Sequence, residues 1–579
     1  MAQFHLNGYQ FRTITKNTLK EETITPLKEG EVCEYLLHLV FEEEVCPCEY
    51  VVTWQESRVD VTGFWSPMSG ASRSITADWG PKKTISRTAC GMPLAVLFSA
   101  NDENRLAVAL SDTATPTSLS AGIIEENGNL KLEIHFFTNL TPKMKEYHGV
   151  IRIDRRSTVH FATAVKEVRQ WWMDRDLTPA YVPNDARLPM YSTWYSYHQQ
   201  VFAQDIVEEC KLAKPLGMDT VIVDDGWQTD DNNRGYAYCG DWQVATGKIP
   251  DMPKFVSDLH NIGMKVILWY SVPFVGEKSV NYSRFQGKYL FYMPRMQASV
   301  LDPRFQEVRD FLVETYTHAV TTYDLDGLKL DFIDCFRLEK ESLPCAEGMD
   351  TISVEEGVEK LLMEVTAKLR AIKPEIMIEF RQPYVGPIVA KYGNMFRVGD
   401  CPNDPILNRI STIDLRLTAG TSCVHSDMIM WHPDETPEGA AQQLYGVLFS
   451  VPQISVKIAT LSEKQKQLLT HFLEFWKAHR NTLLDGELTV GDVQANYSFA
   501  TAKSEQECIT VLYLQRVVQC EDLPHIIFNA TGADNIYLET HTVKQYEILN
   551  VCGKQIARGT LPTGITHLPV PRGGSVKLN

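Results

Sequence analysis

The sequence predicts an α/β protein: a central (β/α)₈ TIM barrel with an N-terminal β-sandwich and a small C-terminal β-sandwich. Three observations carry this. From Met190 onward strand-like and helix-like segments alternate, which is the mark of a parallel α/β domain, and eight strands over about 290 residues suit a closed barrel. Both flanks instead carry short segments of alternating hydrophobicity divided by Gly, Pro and Asn. Polar residues also recur at the C-terminal ends of the barrel strands, where such barrels keep their chemistry.

In chain order, residues 1–165 read as the first sandwich, with Tyr50–Trp54, Leu106–Leu110 and Leu130–Phe136 as sample strands. A helix from Ala162 to Met173 and a Pro- and Asp-containing linker fill residues 166–189. Residues 190–484 form the barrel, with strands at Tyr191–Tyr197, Thr220–Asp224, Lys265–Ser271, Leu328–Ile333, Ile376–Phe380, Met395–Val398, Ser422–His425 and Ile454–Ile458. The helices between them are Ala203–Leu216, Phe255–Ile262, Arg304–Tyr323, Val354–Ile372, Leu407–Leu417 and Gly439–Leu448, followed by Glu463–His479. No Gly-x-Gly-x-x-Gly turn follows a strand, which argues against an open dinucleotide-binding sheet. Residues 485–579 return to β texture, with Cys508–Leu514 and Tyr546–Leu549 as strands.

The totals narrow the function. A net charge of -17 over 579 residues disfavours a nucleic-acid partner, because binding to phosphates depends on Lys and Arg. No apolar run is long enough to span a membrane, and the start lacks the basic-then-apolar pattern of a secretory signal. The 13 cysteines are odd in number and scattered, so a reducing, cytoplasmic setting is expected. A small neutral substrate fits this composition. No metal or cofactor is expected, since no His-Glu-x-x-His motif occurs, and no Gly-x-Ser-x-Gly elbow supports a serine nucleophile.

The stretch Asp326-Gly327-Leu328-Lys329-Leu330-Asp331 organises the site. Its apolar residues alternate with two charges that a barrel interior tolerates only when paired. Other strand ends bring Trp194, Asp224 and Asp225 with Trp227, Trp269, Glu379 with Arg381, Arg397 with Asp400, and His425 with Asp427. Carboxylates and cations among Trp and Tyr suit a carbohydrate: charges bond the hydroxyls and aromatic faces cover the C–H face of the ring. Glycoside hydrolysis needs two carboxyl groups across the scissile bond. Asp331, beside Lys329, is the natural ionised nucleophile. Asp400 is the first choice for the acid and Asp404 the alternative. Trp65, in the N-terminal segment, is large enough to cover the site mouth, although nothing in the sequence puts it there. Glu379 with Arg381, and His425 with Asp427, each read equally well as simple pairs.

Lys329-Leu330-Asp331 resembles the Lys-x-Asp nucleophile motif of the clan D α-galactosidases, especially glycoside hydrolase family 36. Asp224-Asp225-Gly226-Trp227 resembles that family's paired acids, which hold the 4- and 6-hydroxyls of galactose. Gly240-Asp241-Trp242 looks like the loop that supplies an aromatic wall, and Leu301-Asp302-Pro303-Arg304 like the segment before its fourth-strand helix. The resemblance implies a retaining double displacement on terminal α-galactosides, with Asp331 as nucleophile and Asp400 as acid/base. The pKa of Asp400 should then be raised so that it can hold a proton. Substrate binding would fall to Trp194, Asp224, Asp225, Trp227, Trp242, Lys329, Arg381 and Arg397. The partner implied is a small carbohydrate, an α-galactoside oligosaccharide or glycoconjugate, with no nucleic acid and no membrane; homo-oligomers are common among such relatives.

Three departures keep alternatives open. The family's acid/base motif has Asp four residues after Arg, and here Cys401 stands there with Asp400 before it and Asp404 beyond. A Cys- and Gly-rich loop near the sugar's 2-position is replaced by Glu379-Phe380-Arg381-Gln382-Pro383. The end of strand three, Leu268–Pro273, lacks an acidic residue. An α-N-acetylgalactosaminidase, a raffinose-synthase-like α-galactosyl transferase and a catalytically inactive carbohydrate-binding homologue are the competing readings.

Overall fold

The protein was analysed as a computed structural model, which describes residues 2–579. Its centre is an eight-stranded parallel barrel: β1 Met190–Ser192, β2 Thr220–Val223, β3 Lys265–Ser271, β4 Gly327–Asp331, β5 Met377–Arg381, β6 Met395–Arg397, β7 Cys423–His425 and β8 Gln453–Ile454. Each of β1 to β6 pairs in parallel with the next, and β8 pairs back to β1. A parallel bridge between His425 and Val451 closes the ring at β7 and β8.

The period-two pattern of β4 has its reason here. Leu328 and Leu330 join the large apolar cluster shared with the surrounding helices, while Lys329 and Asp331 occupy the alternate, inward positions. Gly327 opens the strand because a Cβ there would meet the Met377 carbonyl oxygen at 2.6 Å. The inner floor is apolar: Met190, Ile222, Ile267, Met377 and Met395 pack against Ala186, which plugs the barrel. Register sets Lys329 beside Glu379, Arg381 beside Arg397, and Arg397 beside His425. The charged layer therefore lies above the apolar one, toward the C-terminal mouth.

Strand ends differ most from the sequence reading at β1 and β8, while β2 and β4 stop one and two residues early, at Val223 and Asp331. β1 stops at Ser192, and Trp194–Tyr197 forms a helical turn, so Trp194 and Tyr195 sit above the strand rather than in it. β8 covers only Gln453–Ile454, and Ile458 begins a short 3₁₀ turn. The helix Val354–Ile372 starts at Ser353, whose hydroxyl caps it through the Glu356 amide.

Before the barrel, an eight-stranded and a six-stranded sheet pack face to face through Tyr35, Leu37, Leu39, Phe41, Val52 and Trp54. The helix Phe161–Met173 follows and buries Phe161, Val165, Val168 and Trp172 in the central cluster. After the barrel, a seven-stranded and a three-stranded sheet share a core of Leu512, Ile527, Leu538 and Val576. Trp65 does not reach the site mouth. It is fully buried, donating from Nε1 to Asp414 at 2.9 Å beside Arg73 and Tyr497, where all three parts of the chain meet. All 13 cysteines are unpaired thiols. No described helix is long and apolar enough to cross a membrane.

Candidate active site

Asp331 ends β4 with its carboxylate at the barrel mouth. Oδ1 accepts from Arg381 Nε at 2.8 Å, from the Phe332 amide at 2.8 Å and from the Tyr384 hydroxyl. Oδ2 accepts from the indole Nε1 of Trp269 at 3.0 Å. Burial by itself would raise this carboxyl's pKa, but Arg381, Lys329 and the Tyr384 and Trp269 hydrogen bonds outweigh it. They hold Asp331 well below the usual carboxylate range, so it is ionised. Three donors grip Oδ1 and one touches Oδ2, which leaves Oδ2 the freer oxygen.

Lys329 does not pair with Asp331. Its ammonium bonds Asp224 Oδ2 at 2.6 Å. β2 ends at Val223, so both acids of the Asp224-Asp225 pair lie in the turn beyond it, and neither is forced outward by strand alternation. Gly226 completes that turn at φ +115°, with the Gln199 backbone 2.5 Å from where a Cβ would stand. Asp225 is buried and held by Gln228 at 2.6 Å and Gln199 at 2.7 Å. Burial, opposed by those bonds, pushes its pKa up to about 6.

Asp400 follows β6 and pairs with Arg397 Nη2 at 2.9 Å, with 47% of its side chain exposed. The expectation of a raised pKa is corrected here. Burial pushes it up, but Arg397 and Arg381 outweigh this, so the carboxyl is lowered in the empty site, while the charge on Asp331 opposes the lowering. Asp404 is committed elsewhere, capping the helix Pro405–Thr418 through the Ile406 and Leu407 amides.

Arg397 is the hub behind the site. It is 1% exposed and bonds Asp427 at 2.5 Å and Asp400 at 2.9 Å, with Glu379 at 3.5 Å. The expectation that it touches substrate does not fit this burial: its guanidinium is enclosed by these three carboxylates, and Asp400 is the one of them that reaches the surface. Asp427 also accepts from the Cys401 amide at 2.7 Å and the Tyr195 hydroxyl at 2.9 Å, fixing the loop that carries Asp400. Burial raises both carboxyls, Asp427 against Arg397 and Glu379 against Lys329 and Arg397. The simple pairs drawn from sequence do not form: Glu379 meets Arg397 and Gln453, and His425 bonds the Ala186 carbonyl.

The aromatic residues sort differently from expectation. Trp227 is fully buried, donates to the Trp269 carbonyl at 2.8 Å and stacks on Trp242 with centroids 6.1 Å apart. It is packing, because its indole has no open face. Trp242 is 7% exposed and braces Tyr270 at 4.9 Å. Trp194 stays half-buried, with its ring against His198 at 4.9 Å. The half-buried rings nearest Asp331 are Phe332 and Tyr236, whose centroids lie 5.2 Å apart. Tyr236 and Tyr384 have no sequence signal, as each lies in a loop that only the fold carries to β4. Trp269, named from sequence only as a strand-three end residue, is a hydrogen-bond donor to Asp331.

The Melibiase family model matches residues 169–353, which include Asp224, Asp225, Lys329 and Asp331 and stop before Asp400. Over this stretch the chain is similar to the Melibiase family. Among curated proteins, Alpha-galactosidase 2 of Pediococcus pentosaceus is 28% identical over 163 residues, 27% of this chain and 22% of that protein. The family 36-like chain thus aligns with less than a quarter of the length of each curated relative matched. Among solved structures, α-galactosidase AgaA of Geobacillus stearothermophilus with 1-deoxygalactonojirimycin superimposes at TM-score 0.66 and 15% identity, covering 100% of this chain and 89% of that one. A second AgaA structure, with raffinose, gives TM-score 0.66 at 14% identity with the same coverage. At such identities these likenesses establish the shared fold. Sequence similarity to the family model ends before β5, so the departures at strand five and at the acid/base motif lie beyond it and the one at the end of strand three lies within it.

Proposed function

We propose that this chain is a retaining exo-α-glycosidase that hydrolyses terminal α-galactosides, with residues 190–484 as its catalytic unit. The observation that carries the reading is a carboxylate, Asp331, held ionised by four donors at the barrel mouth, with a second, half-exposed carboxyl at Asp400 on the same side. The galactosyl ligands of AgaA, a neighbour in fold, support this choice of sugar.

In this mechanism Asp331 Oδ2 attacks the anomeric carbon while Asp400 gives its proton to the leaving oxygen. The bound sugar strips water from Asp400 and thereby raises its proton affinity. Formation of the glycosyl ester removes the negative charge from Asp331. After burial, that charge is the other influence that favours the protonated form of Asp400, so its loss helps Asp400 act as a base for the incoming water. Lys329 and Asp224 form a fixed donor–acceptor pair for ring hydroxyls. Arg381, half-buried beside the nucleophile, occupies the strand-five position that in the family lies near the 2-substituent.

Release of nitrophenol from the α-galactoside and the α-N-acetylgalactosaminide, measured side by side, tests this. Preference for the α-galactoside is expected. Preference for the second would assign the rebuilt strand-five loop to an acetamide, and faster transfer to sugar acceptors than to water would indicate a transferase. Sugar binding without turnover, even of activated glycosides, would leave an inactive carbohydrate-binding homologue.

A further inference from the structure

The outer face of the N-terminal six-stranded sheet carries a group that the glycosidase reading does not use. His38 lies on the strand Val32–Val45 and His148 on its neighbour Met144–Asp154, directly opposite each other in register. Leu37 and Leu39 point into the sandwich core, so His38 points outward. Tyr147 and Gly149 are likewise buried, which turns Glu146 and His148 out onto the same face.

Three donor atoms converge there. Glu146 Oε1 lies 3.1 Å from His38 Nε2 and 2.7 Å from His148 Nε2, and all three atoms lie within 4.8 Å of one another. The imidazole rings face each other at 4.3 Å between centroids with a 49° tilt. A tetrahedral zinc ion with ligand bonds of about 2.0–2.2 Å needs donors roughly 3.3 Å apart. The 2.7 and 3.1 Å separations fall a few tenths of an ångström short of that value, and side-chain rotation at this surface is enough to widen them. On the far side of the His38 ring, Glu21 Oε1 stands 4.0 Å from Nδ1. That is beyond hydrogen-bond distance, but a small rotation of the exposed Glu21 side chain would let it accept from Nδ1 and leave Nε2 to bind, the usual outer support of a metal-bound histidine.

We propose that His38, His148 and Glu146 form a mononuclear site for a transition-metal dication of the Zn²⁺ class, with a fourth position open to solvent. Two imidazoles and one carboxylate suit zinc, cobalt or nickel, whereas calcium and magnesium demand all-oxygen shells. The ion would tie two neighbouring strands of the sheet together, and it shares no residue with the barrel site.

The test uses the full chain after chelator treatment, titrated with Zn²⁺ by calorimetry and with Co²⁺ by visible absorption. One equivalent should bind, with tetrahedral Co²⁺ bands, and Zn²⁺ should raise the melting temperature. His38→Ala and His148→Ala should abolish that equivalent, and Glu21→Gln should weaken it about 10- to 100-fold. Glycosidase turnover should be the same in His148→Ala as in the parent. Absence of a saturable equivalent in the parent, or undiminished binding in both histidine variants, would overturn the proposal. His148 is exposed, so its variant decides the matter if His38→Ala does not fold.

Discussion

Trp269 Nε1 donates to Asp331 Oδ2 at 3.0 Å, and the register that pairs Trp269 with Lys329 across β3 and β4 makes this possible. The indole lies in the strand-three stretch Leu268–Pro273, which carries no acid. A neutral donor there lowers the proton affinity of Asp331, while a carboxylate would raise it. Strand three thus gives Asp331 a hydrogen bond and adds no charge.

Asp331→Ala should lose nearly all turnover while keeping the fold, because Arg381 is partly open to water and can be rehydrated. Steady-state assays with circular dichroism check both halves. Ordinary turnover in this variant would remove Asp331 from the nucleophile's role.

Tyr384→Phe removes one of the three donors on Asp331 Oδ1. A hydrogen bond to a charged group contributes about 1.5–3 kcal/mol, so kcat/KM should fall roughly 10- to 150-fold. The acidic limb of the pH profile should move upward, because a carboxylate with fewer donors is protonated more readily. An unmoved limb would show that Tyr384 only packs.

Asp400→Ala and Asp404→Ala should part company. On an activated galactoside, azide should rescue Asp400→Ala and yield an α-glycosyl azide from the second step. Asp404→Ala should keep its activity and lose only about 1 kcal/mol of stability, the usual value of an N-cap. Azide rescue of Asp404→Ala alone would exchange the two assignments.

Asp225 supplies a pH signature. Its folded pKa is raised to about 6, so between roughly pH 4 and 6 the folded state binds more protons than the unfolded chain. Stability attributable to this residue is therefore fully present below about pH 4 and is lost as pH rises through 6. The difference in unfolding free energy between parent and Asp225→Asn should shift by up to about 3 kcal/mol across that window, with the parent gaining on acidification. Urea titrations at several pH values measure it, and a flat difference would refute the raised pKa.

Arg73 and Asp414 form a buried ion pair between the N-terminal part and the barrel, with Trp65 and Tyr497 bonded to the same carboxylate. Asp414→Ala strands a buried guanidinium and should cost about 3–5 kcal/mol. Turnover per folded molecule should stay near that of the parent, as judged by active-site titration.

The sequence by itself determined the barrel, its strand order and the residues at its mouth. Alternation along β4 and helical periodicity between strands are local patterns, and burial acts on them directly. It also singled out Lys329, Asp331, Asp224 and Asp400, because charges at strand ends need a reason to be there. Partnership was another matter. That Lys329 serves Asp224 while Arg381 serves Asp331, that Arg397 sits sealed behind Asp400, and that Trp227 has no open face were decided only by tertiary structure. Tyr384 and Tyr236 show why. They lie 53 residues after and 95 residues before Asp331 in loops without periodicity, and only closure of the barrel brings either side chain near β4. The acidity of Asp400 belongs to the same class: it depends on distances to two guanidiniums and one carboxylate, which spacing along a chain does not encode.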